Sequence, residues 1–150
     1  MTPGEPGREM RVLGIDVGAR RVGLAISDPT QTLARPLKTL SVNGRADAVA
    51  RVLIEIEQLG AEEDGLAAIV VGLPARLDGS PGDETARAAA FVAALATRTS
   101  VPIARMDERL TSWEADRRLA RNERDWRRRK AQLDAAAAAV ILQDYLDREQ

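Results

Sequence analysis

Leu13-Gly14-Ile15-Asp16-Val17-Gly18 leads, through Ala19-Arg20-Arg21, into Val22-Gly23-Leu24-Ala25-Ile26-Ser27. Both halves have strand composition, and the short glycine-bearing link between them predicts an antiparallel hairpin. The first strand ends on a carboxylate. Such a group in an apolar setting is costly unless its charge is compensated, and a metal ion or a ligand phosphate would compensate it. Asp and Gly also form turns unaided, so the local sequence leaves a turn-forming role for Asp16 open.

The flanking sequence sets the fold class. Residues 1–9 are rich in Pro and Gly and read as a disordered leader. Strands are expected over 10–16, 21–28 and 33–40, the third at a sheet edge because Pro36 cannot donate to a ladder. Val49, Val52, Leu53, Ile56 and Leu59 recur at helical spacing, which predicts a helix over 45–59 that stops at Gly60. The apolar run 67–72 reads as a strand buried on both faces, followed by a polar loop from Leu73 to Gly82. A second helix is expected over 83–98 and a further strand over 101–106. A third helix, capped by Thr111 or Ser112 with Glu114 as capping-box partner, and a fourth over 129–146 complete the chain. An antiparallel start followed by strand–helix units indicates one three-layer α/β domain over 10–150 with a mixed five-stranded sheet.

Composition narrows the chemistry. The 150 residues suit one domain, and they include neither cysteine nor histidine. That excludes disulfides, thiol chemistry, an imidazole base and His/Cys zinc sites. Any hydrolysis must rest on carboxylates, lysine or a hard metal ion. No apolar run reaches the length of a membrane span, and no signal peptide is visible, so the expectation is a cytoplasmic protein with no membrane partner.

Net charge is only −1, yet basic residues crowd one segment. Arg117, Arg118, Arg121, Arg124, Arg127, Arg128, Arg129 and Lys130 surround Trp126 against Glu123 and Asp125 alone. Such a segment can track a phosphate backbone and stack on a base. It also has the composition of a solvated helix face.

Carboxylates recur at strand ends. Asp107 and Glu108 follow the 101–106 run, as Asp16 ends the first strand, and open α/β sheets bind ligands beyond the carboxyl ends of their strands. Asp134 heads a helical stripe with Ala138, Ile141 and Tyr145. The run Ala135–Ala139 removes bulk, letting that helix lie close to the sheet and carry Asp134 over it. A charge at a helix start also complements the helix dipole. Acids gathered without histidine suit Mg²⁺ or Mn²⁺, and two such ions ~4 Å apart can activate water and stabilise the leaving oxygen of a phosphodiester. Arg20 and Arg21 in the hairpin, Arg76 after Gly72-Leu73-Pro74, and Arg109 beside Glu108 are candidate phosphate contacts. With them stand Trp126, Arg127, Arg128, Arg129 and Lys130 as candidate nucleic-acid contacts. Gly72 permits close backbone approach, and a ligand is one candidate to use that space.

Residues 10–29, Met-Arg-Val-Leu-Gly-Ile-Asp-Val-Gly-Ala-Arg-Arg-Val-Gly-Leu-Ala-Ile-Ser-Asp-Pro, resemble the opening of the YqgF/RuvX family. So do Val70-Val71-Gly72-Leu73-Pro74 with Asp78-Gly79-Ser80, and Asp107-Glu108-Arg109-Leu110-Thr111-Ser112. Asp134 with Ala136-Ala137 and Ile141-Leu142-Gln143 is similar to its C-terminal helix. The resemblance implies an RNase H-like fold related to Holliday-junction resolvases. It implies a nuclease that processes the 5′ end of pre-16S rRNA, or one that resolves branched DNA. It also implies Asp16, Glu108 and Asp134 as the catalytic, metal-binding acids with Mg²⁺ or Mn²⁺ as cofactor. Structured RNA or branched DNA, and a pre-ribosomal particle, are the implied partners, with the protein a monomer or homodimer. Two other classes stand beside this one. A non-catalytic RNA- or ribosome-binding module would bind without cleaving. An actin-like ATPase or sugar kinase also opens on Asp-x-Gly, but needs two such domains.

Overall fold

The hairpin forms and the sheet grows outward from it. The computed structural model describes residues 10–74, 80, 82–108 and 126–149, with the backbone alone at 108 and 126–132. Its elements are β1 (Arg11–Val17), β2 (Arg21–Ser27), β3 (Ala34–Ser41), α1 (Arg45–Ala61), β4 (Leu66–Pro74), α2 (Asp83–Ala96), β5 (Ile103–Glu108) and α3 (Trp126–Arg148). The expected leader, the segment 75–79 of the polar loop, and the helix placed at Thr111 or Ser112 lie outside the described residues.

The strand order is β3-β2-β1-β4-β5. β1–β2 and β2–β3 are antiparallel, whereas β1–β4 and β4–β5 are parallel. This is the mixed five-stranded sheet expected, with β3 at one edge. Pro36 sits where the β2–β3 register shifts, between the Leu24–Lys38 and Ala25–Pro36 pairs. A residue without a donor is tolerated at such an irregularity.

Strand alternation divides the core. Leu13, Ile15, Val22, Leu24, Ile26, Ile69 and Val71 face α1 and α2, packing on Val49, Val52, Ile56, Phe91, Val92 and Leu95. Val12, Ala25, Val70 and Met106 face α3, packing on Ala138, Ile141, Leu142 and Leu146. The result is three layers, two helices on one face and one on the other. Burying these apolar faces, at about 25 cal/mol per Å², is what holds the helices to the sheet.

Small residues set how closely α3 approaches. A Cβ added at Gly23 would lie 2.0 Å from the carbonyl oxygen of Asp134. One at Gly14 would lie 2.7 Å from Leu142 Cβ, and one at Gly72 would lie 2.5 Å from Ile141 Cδ1. The space at Gly72 is therefore taken by a packed side chain. The closest approach of all is at Gly23, directly beneath Asp134.

Some boundaries differ from the sequence-based expectation. α1 runs through Gly60 to Ala61, and Gly65, at φ +56, takes the left-handed conformation before β4. Arg11 explains how the helix ends. Its Nη2 donates to the Leu59 carbonyl at 3.2 Å and to Glu62 Oε1 at 2.8 Å, and its Nε donates to the Gly65 carbonyl at 3.2 Å. A buried guanidinium from β1 thus ties the last turn of α1 to the Gly65 loop, adding a second donor to the Leu59 carbonyl, which also accepts the Glu62 N–H. Gly60 is then an exposed helical residue in the last turn of α1, with open space where a Cβ would sit. Gly60→Ala is expected to raise stability by about 0.5–1 kcal/mol, read as a higher urea midpoint with an unchanged slope.

β4 extends two residues beyond the expected end, to Pro74, and β5 starts two residues late, at Ile103. α3 begins earlier than expected, at Trp126, and α2 ends earlier, at Ala96. Asp107 and Glu108 are consequently the last residues of β5 rather than residues following a strand.

Candidate active site

The carboxyl ends of β1, β4 and β5 share one edge of the sheet because these strands are parallel. Asp16 stands at that edge on the penultimate position of β1, the central strand, and its Cα partner on β2 is Gly23. Over Gly23 lies the backbone of Asp134. The clearance at one glycine therefore brings the acid of the last helix above the acid of the first strand, which are 118 positions apart in sequence.

Alternation puts Asp16 on the α3 face, since Leu13, Ile15 and Val17 take the other. Among the described residues, no hydrogen-bond donor reaches its carboxylate. Burial pushes its pKa from an ordinary 3.8 up to about 7, with the negative charges of Asp134 and then Glu84 adding to the effect. Glu84 belongs to the first turn of α2. Sequence reasoning missed it, because an acid in a first helical turn is already explained by the helix dipole. The polar loop immediately before α2, leading back to the same sheet edge, was the available signal.

Asp134 has a partner. The Arg21 Nε donates to its Oδ2 at 2.6 Å, joining β2 to α3. Arg20, next in sequence, is exposed. The hairpin arginines, expected to act alike, therefore do different things.

Asp107 is exposed and alternates with Met106, which packs under α3, so it falls on the α1/α2 face. Position 108 pairs with Pro74 at the last rung of β4–β5, one strand removed from β1. That leaves 108 as the position of the pair on α3's side of the sheet. Arg76 and Arg109 lie outside the described residues, as do the side chains of Glu108, Trp126, Arg127, Arg128, Arg129 and Lys130. The backbone of 126–130 forms the first turns of α3, leading into Asp134.

A different acid earlier in the chain proves to be structural. The Asp28 carboxylate accepts hydrogen bonds from the backbone N–H groups of Thr30, Thr32 and Leu33, and from the Thr30 hydroxyl. These bonds, the one from Leu33 foremost, hold its pKa down at about 2. It is a turn former, as its sequence context implied.

The donor set suits a hard cation. It is oxygen only, and Asp16 brings a desolvated carboxylate, without a hydrogen-bond donor among the described residues, beside a second carboxylate. Removing that charge conflict requires a proton or a cation. Among the described residues, no group of three His, Cys, Asp or Glu side chains gathers closely enough to hold a metal ion. Asp16 and Asp134 are the described part of the candidate set. A cavity of about 510 Å³ opens on the other face, where Val17, Gly18, Arg45 and Arg87 contribute to its lining. It is not lined by either acid.

A family model described as "RuvX: Holliday junction resolvase" matches residues 10–148. A protein of Roseiflexus sp. (strain RS-1), provisionally named a pre-16S rRNA nuclease, is 40% identical, covering 95% of this chain and 96% of its own length. A protein of Chloroflexus aggregans with the same provisional name is 42% identical over 93% of this chain and 94% of its own. Among solved structures, Thermus thermophilus RuvC matches with a TM-score of 0.51 at 18% identity, covering 93% of this chain and 96% of that one. That likeness is one of fold, and it agrees with the RNase H-like architecture that the sequence resemblance implied.

Proposed function

The chain belongs to the RuvX family, and we propose that it is a metal-dependent nuclease that hydrolyses phosphodiester bonds at the 5′ end of pre-16S rRNA. The observation that supports this reading is Asp16, a desolvated carboxylate at the sheet edge where β1, β4 and β5 end, with the backbone of Asp134 over its strand partner Gly23. The names of the relatives supply the RNA substrate. The description of the family model favours a second substrate, branched DNA.

In this reading Asp16, Asp134 and Glu108 hold Mg²⁺ or Mn²⁺, in a one- or two-ion site. When bound, such ions supply a water of lowered pKa and offset negative charge on the phosphodiester. The protein's own part is positional. The central strand fixes Asp16, the glycine floor at Gly23 fixes the height of Asp134, and Arg21 pairs with the Asp134 carboxylate in the free protein. Residues 10–150 are the nuclease domain. Arg20, Arg21, Arg76, Arg109 and the segment Trp126–Lys130 are proposed to contact nucleic acid. No described helix is long and apolar enough to cross a membrane, and we place the activity in the cytoplasm.

The test is purified protein on end-labelled pre-16S precursor RNA and on a four-way DNA junction. Cleavage of the precursor is expected in Mn²⁺ or Mg²⁺, with full loss in EDTA and recovery on re-addition. Preferential cutting of the junction would transfer the assignment to branched DNA. Binding without cleavage would support a non-catalytic module, and ATP turnover without nucleic acid would support a phosphotransferase. Undiminished cleavage in chelator would refute the metal-carboxylate mechanism.

A further inference from the structure

The Arg21–Asp134 pair occupies a carboxylate that the proposed metal site needs. Arg21 is the first residue of β2, two positions from Gly23 and so on the same face of the sheet, beneath α3. Its hold on Asp134 runs through Nε alone, at 2.6 Å. Among the described residues, neither Nη1 nor Nη2 makes a hydrogen bond. A guanidinium has five N–H donors in a fixed fork, and bonding through Nε leaves the outer Nη1/Nη2 edge open. That edge matches two oxygens of a phosphate. The side chain is one-third exposed and Asp134 is one-quarter exposed, so neither is sealed from a ligand at the sheet edge.

We propose that Arg21 is an exchangeable counter-ion that couples nucleic-acid binding to metal binding. This rests on the reading of Asp134 as a metal ligand. In the free protein the Arg21 guanidinium partly neutralises the site and competes with a divalent cation for Asp134. A backbone phosphate docking on the open edge of Arg21 supplies a second anion, weakens the hold on Asp134, and frees that carboxylate. Cation and nucleic acid then bind with positive coupling, and by linkage each raises the other's affinity by the same factor. The consequence is a site that charges with metal chiefly when a phosphodiester is present. Arg21 is thus a positioning residue whose partner changes during the cycle.

The experiment is Mn²⁺ titration by electron paramagnetic resonance on the full chain, with and without a phosphorothioate RNA hairpin, which keeps backbone charge but resists cleavage. In the wild type the hairpin is expected to tighten Mn²⁺ binding by roughly 5–150-fold, the ordinary range of coupling between sites. Arg21→Gln is expected to bind Mn²⁺ at least several-fold more tightly than wild type when no RNA is present. It should bind the hairpin more weakly, and its coupling should shrink towards one. Arg51→Gln removes an equal charge from a surface pair within α1 and is expected to change neither quantity. A purely structural tie would behave in the opposite way, because its removal would loosen Asp134 and weaken Mn²⁺ binding. That result, or wild-type Mn²⁺ affinity indifferent to RNA, would overturn the proposal. Asp134→Asn in the same titration separates the two levels. Unchanged Mn²⁺ affinity there would defeat the metal assignment itself. Lost affinity there, with Arg21→Gln indistinguishable from wild type, would defeat only the exchange.

Discussion

Asp16→Asn is expected to reduce cleavage by roughly 10³-fold or more, since losing a ligand removes several kcal/mol of transition-state stabilisation at about 1.4 kcal/mol per tenfold. It is also expected to stabilise the free protein at pH 8. The folded-state pKa of Asp16 is raised from 3.8 to about 7, so folding takes up a proton between these values. Its contribution is intact below about pH 4 and is lost as pH rises through 7, at up to roughly 1.4 kcal/mol per unit. Asparagine cannot ionise. Melting in EDTA from pH 4 to 8 should therefore show wild type falling behind the variant as pH rises, with the two converging at the acid end. A variant that stays active, or that is less stable than wild type at pH 8, would contradict the account. Asp134→Asn and Glu108→Gln should lose activity similarly, whereas Asp107→Asn, on the other face, should retain it. Asp134→Asn should gain no stability, because it leaves Arg21 without its partner.

Gly23→Ala is expected to be the most damaging glycine-to-alanine change among the described residues. The new Cβ would meet backbone, the Asp134 carbonyl at 2.0 Å, and backbone cannot yield as the tip of a side chain can. Overpacking of this kind costs about 3 kcal/mol or more, and α3 must lift from the sheet to relieve it. Lifting α3 moves Asp134 away from Asp16. Displacements near 1 Å cost on the order of 10²-fold in rate, so activity should drop well below that of wild type even where the variant remains folded. Urea unfolding and cleavage rates at low temperature would check both parts. Full activity with an unchanged midpoint would mean that the Gly23 floor does not set the height of Asp134.

What could be read in the sequence follows the range of the interactions involved. Apolar strand composition and a glycine link identify β1 and β2, and the missing donor of Pro36 identifies an edge strand, because each signal is local. The end of α1 was not legible. Gly60 resembles a stop, yet the helix ends through Arg11, 48 residues away from Leu59, and through Gly65. The β5 boundary slipped because Val101-Pro102 is apolar, while the ladder with β4 begins only at Ile103 and carries on through Asp107 and Glu108. At the site, Asp16 could be found from its strand and Asp134 from its stripe. The reason they meet lies in glycines 14, 23 and 72: the first two read as ordinary strand residues until the facing helix is known, and Gly72, legible as a place of close approach, is filled by Ile141. Arg21 looked like Arg20 for the same reason. Only the position of Asp134 over β2 distinguishes them.

The most direct measurement is anomalous difference density from Mn²⁺ in crystals of the protein with a cleavage-resistant RNA. The account predicts density at the sheet edge within about 2.2 Å of carboxylate oxygens from both Asp16 and Asp134, the spacing a hard cation keeps to oxygen ligands. Mn²⁺ density confined elsewhere, in a preparation whose cleavage activity depends on Mn²⁺, would contradict it.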